Sequence, residues 1–112
     1  MNINFNGLTD ENMINAIIEM CNRMVDSYNK QCNNTQMQER FANSFEIKVG
    51  KKYIRLIANN SYEAYIVNSY DDTKFTYGDL LYPNGKTPAR NKARGNIFGE
   101  YHVTWLGLDY LR

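Results

Sequence analysis

Residues 53–67 read YIRLIANNSYEAYIV. Two runs rich in β-branched and aromatic residues, Tyr53 to Ala58 and Tyr62 to Val67, flank Asn59-Asn60-Ser61. Short polar side chains favour turns because they bond their own backbone and tolerate left-handed conformations. This is the clearest hairpin in the chain, and it marks the second half as β structure. Upstream, Phe45, Ile47 and Val49 alternate with Glu46 and Lys48 before Gly50, which predicts another strand. Downstream, a polar stretch from Asn68 to Lys74 leads to Phe75-Thr76-Tyr77, then Gly78, Asp79 and the apolar run Leu80-Leu81-Tyr82. Pro83 to Asn96 reads as a long basic loop punctuated by glycine and proline. Tyr101, Val103 and Trp105 alternate with His102 and Thr104 in a last strand before Gly107.

Before Asn43 the period is helical. Thr9 is the expected cap, and Asp10 and Glu11 stand where a helix N-terminus favours negative charge. Ile14, Ile17, Ile18, Cys21, Met24, Val25 and Tyr28 recur at three- and four-residue spacing, with Glu19, Asn22, Arg23 and Asp26 on the other side. Polar Asn29 to Asn34 breaks the pattern, and Thr35 to Ala42 predicts a second, shorter helix with Met37 and Phe41 on one face. The expected fold is α+β: an N-terminal amphipathic helix and a short second helix, packed on a small curled antiparallel sheet or partial barrel of about five strands. One domain over 1–112 is expected, helical over 1–43 and β-rich over 44–112. The stripe from Ile14 to Tyr28 also fits a heptad, so a homodimer through it is the alternative to packing on the chain's own sheet.

With 43% hydrophobic and 22% charged residues and only two prolines, the chain has the composition of a folded domain. No run is long and apolar enough for a membrane span, and no stretch has the form of a secretory signal, so the expected setting is cytoplasmic. Cys21 and Cys32 are then most simply reduced thiols.

The net charge of +1 hides a segregation. The first 45 residues carry five acids and three bases, whereas the remainder carries ten bases and seven acids, so the β-rich part is the positive one. Lys86, Arg90, Lys92 and Arg94 crowd the Pro83-to-Asn96 loop, and no acid occurs between Asp79 and Glu100. Cations on a proline-stiffened loop suit phosphate contact, and Gly95 would admit an anion close to the backbone. Lys51, Lys52 and Arg55 form a second rank. Tyr53, Tyr82, Phe98, Tyr101 and Trp105 are the aromatics that could stack on unpaired bases.

Catalytic chemistry finds little support. His102 is the lone histidine and has no proton-transfer partner fixed by spacing. Asp71, Asp72 and Asp79 lack the oxygen-ligand spacing of a calcium loop. Cys21 sits on the apolar stripe, where a thiol acts as a small hydrophobe. No phosphate loop, zinc spacing or hydrolytic triad is present, so no enzyme, cofactor or metal centre is expected. The expected function is binding: weak contact with the phosphate backbone of nucleic acid, or with a protein partner.

Gly78-Asp79-Leu80-Leu81, Lys86-Thr87-Pro88-Ala89-Arg90 and Ala93-Arg94-Gly95-Asn96-Ile97, in that order, carry a resemblance. With the strand Lys52-Tyr53-Ile54-Arg55 and the tail Trp105-Leu106-Gly107 followed by Tyr110-Leu111, they resemble a family of small uncharacterised tailed-bacteriophage proteins. The likeness runs from about Gly50 to the C-terminus. It departs where family members often carry a tryptophan and this chain has Asn84, Gly85 and Lys86. The resemblance implies expression from a phage inside the host cytoplasm. It admits nucleic-acid handling, inhibition or redirection of a host or defence protein, and a virion-associated structural role.

Overall fold

The computed structural model describes residues 1–110. Its frame grows from the hairpin. Strands β1 (Glu46–Val49), β2 (Tyr53–Ala58), β3 (Ser61–Val67) and β4 (Leu80–Leu81) form an antiparallel sheet in that order. Asn59 and Asn60 both take positive φ, 53° and 65°. A two-residue turn that follows the strand twist needs this conformation, and asparagine tolerates it better than other non-glycine residues. The turn is therefore these two residues alone, and Ser61 already pairs with Ala58. Farther along, Leu56 pairs with Ala64 but Ile57 with Tyr62, so Glu63 is an extra residue in β3, a bulge. The sheet does not close into a barrel.

Strand alternation divides the side chains between two faces. Ile47, Ile54, Leu56, Ala64, Ile66 and Leu80 face the main core, while Tyr65, Val67 and Leu81 face a smaller cluster with Phe75. Helix α1 (Glu11–Gln31) fills the first face with Met13, Ile17, Met20, Cys21 and Met24, all fully buried. Burial of such side chains stabilises by about 1.5–3 kcal/mol each. The apolar stripe thus packs on the chain's own sheet. Of the heptad residues, Ile17, Cys21 and Met24 lie wholly inside, and Ile14, Ile18, Val25 and Tyr28 are half-buried. Met13 and Met20, which the stripe omitted, sit at its centre.

Asp10, not Thr9, caps α1. Its carboxylate accepts from the N–H groups of Asn12 at 3.0 Å and Met13 at 3.3 Å, satisfying donors the helix itself cannot. Helix α2 (Thr35–Ala42) follows, and its one buried side chain, Phe41, stacks on Tyr28 with ring centres 4.5 Å apart. Met37, one turn earlier, is exposed instead of sharing that contact. Trp105 meets Tyr28 edge-on, so this candidate for base stacking is engaged with the helices. Burial pushes the Cys21 thiol up to about 12, and both cysteines are free.

The segment after β4 differs most from expectation. It contains a two-stranded hairpin, β5 (Pro83–Asn84) with β6 (Thr87–Pro88), and then runs back along β4. Ala89 donates to the Tyr82 carbonyl at 2.8 Å, Arg94 donates to the Leu80 carbonyl at 2.8 Å, and Leu80 donates to that of Gly95 at 2.9 Å. Backbone groups beside a sheet edge need partners, and these bonds supply them. The final strand is likewise a hairpin, β7 (Val103–Thr104) with β8 (Gly107–Leu108), turning at Trp105-Leu106. Leu111 of the resembling tail lies outside the described residues.

Candidate nucleic-acid interface

The four cations of the loop separate into two groups. Arg90 turns inward across the second face of the sheet. Its guanidinium donates to both carboxylate oxygens of Asp72, at 2.9 and 3.1 Å, and to the Tyr53 hydroxyl, and it lies over the Phe75 ring. The Arg90 fork, joined by N–H groups of Lys74 and Phe75, holds the Asp72 carboxyl well below the usual carboxylate range. The same pairing drives the Arg90 pKa further up. A bidentate fork used this way has little left for an outside anion. Lys74 also faces this segment, donating through Nζ to the carbonyls of Arg90 at 2.7 Å and Asn91 at 3.0 Å. Arg90 and Lys74 therefore pin the segment from behind.

Arg94 goes the other way. Ala93 packs into the second cluster, and the next side chain emerges from the segment paired with β4. Its guanidinium carbon lies 4.0 Å from the centre of the Tyr82 ring and 3.9 Å from that of Tyr110. Both rings are exposed, Tyr82 by 42% and Tyr110 by 64%, so two solvent-facing aromatics flank one cation. Tyr110 was not among the aromatic candidates, because nothing in the sequence joins it to residue 94. Lys92 lines a cleft beside them, and Lys86 is exposed at the tip of the β5–β6 hairpin. Among the described residues, no carboxylate oxygen comes within 4.0 Å of Lys86, Lys92 or Arg94.

The second rank lies elsewhere. Lys51 and Lys52 are exposed in the β1–β2 turn, while Arg55 is half-buried on β2, over Tyr65 at 5.8 Å. Gly95, read as an anion approach, instead has Glu100 and Tyr101 against its Cα. Of the other aromatics, Tyr101 is buried, Tyr53 is half-buried against Tyr65, and Phe98 is exposed within a different group. That group is a ladder: Tyr70 stacks on Tyr77 at 4.3 Å, and Tyr77 on Phe98 at 5.6 Å. The Tyr77 hydroxyl donates to Asp10 at 2.7 Å, which ties the ladder to the start of α1. His102 is exposed, 4.0 Å from Glu100. Asp71 accepts from Ser69, and Asp79 from the Thr76 backbone and Asn96 side chain. No protein-family model, curated protein or solved structure matches the chain.

Proposed function

We propose that the chain is a non-enzymatic binding protein that holds single-stranded nucleic acid weakly through its phosphate backbone. Lys86, Lys92 and Arg94 make the contacts. The observation that carries the reading is Arg94, flanked by exposed Tyr82 and Tyr110. The rings restrict the guanidinium, so less side-chain entropy is lost when its donors meet a phosphate. Exposed aromatics beside a cation suit unpaired strands better than duplex, because only unpaired bases offer a free face. Likeness to a phage family is consistent with such a role in an infected cell.

Three phosphate contacts predict a log–log salt slope of about −2 for a single strand, so affinity falls roughly 20-fold between about 50 and 200 mM salt. Replacing Arg94 with Ala is expected to reduce that slope by about 0.7. Oligonucleotide titration at several salt concentrations reads both. Absence of binding at low salt, or a slope near zero, refutes the reading.

One observation favours a second reading, in which the partner is a protein. Tyr70 is 83% exposed and Phe98 46%, which makes the Tyr70–Tyr77–Phe98 ladder a large aromatic surface of the kind that anchors interfaces. Here a nuclease-resistant partner from host lysate is captured by the parent chain and not by Tyr70→Ala/Phe98→Ala. Equal capture by both chains counts against the ladder.

A further inference from the structure

Beside the Arg94 group lies a cleft of about 190 Å³. Its size follows from the sequence: Ala89 and Ala93 leave space where larger side chains would fill it, and Tyr82 and Tyr110 rise as aromatic walls. For scale, a protein cavity of roughly 150 Å³ accepts benzene, so a single heteroaromatic ring system is of the right order. Its polar lining comes from Asn91, Lys92 and Arg94. An asparagine amide both donates and accepts, matching the mixed edge of a nucleobase, and is specific to neither purine nor pyrimidine.

The back wall of the cleft is held by hydrogen bonds on both sides. Lys74 holds the Arg90 and Asn91 carbonyls, and the Arg90–Asp72 pair holds the same turn. Ala89 and Arg94 are bonded to β4 on either side of the cleft. A site held this way need not be ordered by its ligand, which removes an entropic penalty from binding.

We infer that the cleft receives one unstacked base of a single strand. The base lies against a tyrosine ring, the Asn91 amide meets its edge, and the adjoining phosphates fall to Lys92 and Arg94. This rests on the proposed nucleic-acid reading and extends it from charge to base contact. The site accounts for two exposed tyrosines converging on one arginine, which phosphate attraction alone does not require.

The test compares a short oligodeoxyadenylate with an abasic strand of the same length and charge, on the full chain, across a salt series. The abasic strand is expected to bind about five- to tenfold more weakly, with the same salt slope, because one stacked base is lost and no phosphate is. Tyr82→Ala and Tyr110→Ala should each shrink that difference, while Tyr82→Phe, which keeps the ring, should preserve it. Equal binding of the two strands with a slope of about −2 overturns the base site and leaves the phosphate reading standing. If neither strand binds, the phosphate reading itself has failed.

Discussion

Gly95→Ala is expected to lower the unfolding free energy by about 3–5 kcal/mol, which for a domain of this size is a fall in Tm of roughly 12–20 °C. Gly95 has φ +120°, a backbone conformation that side-chain-bearing residues seldom adopt. Space is as restrictive as conformation. A Cβ there would stand 2.8 Å from the Tyr101 Cβ and closer still to the carbonyl oxygen of Glu100. Both obstacles belong to a neighbouring strand segment, since Gly95 bridges Tyr101 and Asn96 donates to the Glu100 carbonyl. Relief would require moving backbone, not the end of a flexible side chain. Arg94 and Gly95 together oppose the single residue Leu80, so the same distortion would carry Arg94 away from Tyr82. Urea denaturation of the variant measures the loss. A change below about 1 kcal/mol would mean that the segment yields easily and the cleft is not held as described.

The contrast between Arg90 and Arg94 shows where sequence reading stops. Periodicity is local, so the α1 stripe, α2 and the Asn59–Asn60 hairpin could all be read from neighbours in the chain. The sheet edge could not. Whether a cation is free depends on carboxylates brought near by folding, and Asp72 reaches Arg90 across the turn that contains Phe75. By composition all four loop cations looked alike. Tyr110 was missed for the same reason: it meets Arg94 only after the β7–β8 hairpin brings the chain back. The segment from Pro83 to Asn96 read as an open loop because its hydrogen bonds are made by backbone, which side-chain patterns do not report. Glycine marked its turn at Gly85, but Pro83 and Pro88 pair with each other across the hairpin, and nothing revealed that the rest lies along β4.

Glu63→Gln is expected to raise stability at about pH 8 by about 2 kcal/mol and at about pH 5 by only about 0.5 kcal/mol. Glu63 is the extra residue of the β3 bulge, and the bulge turns its carboxyl against Gly107. Gly107, at φ +108°, permits that approach, because a Cβ there would lie 2.5 Å from Glu63 Oε2. Burial raises the Glu63 pKa to about 7, whereas an unfolded glutamate titrates near about 4.3. Between those values the folded chain binds the proton and the unfolded chain does not. Folding is therefore coupled to proton uptake, and stability falls as pH rises through this window. The whole shift would correspond to more than 3 kcal/mol, but Glu63 is half-exposed and water screens part of it, which leaves about 2. Glutamine keeps the shape and never ionises, so it removes the decline. Asp72 acts in the opposite sense and in a different range. Its pKa is lowered by Arg90, so its contribution is complete above about pH 4 and is lost only in stronger acid. Unfolding curves of both proteins at intervals from about pH 4.5 to 8 separate the two groups. Parallel curves throughout, or a variant less stable than the parent at the alkaline end, would show that the Glu63 carboxyl is solvated and that the bulge does not press it against Gly107.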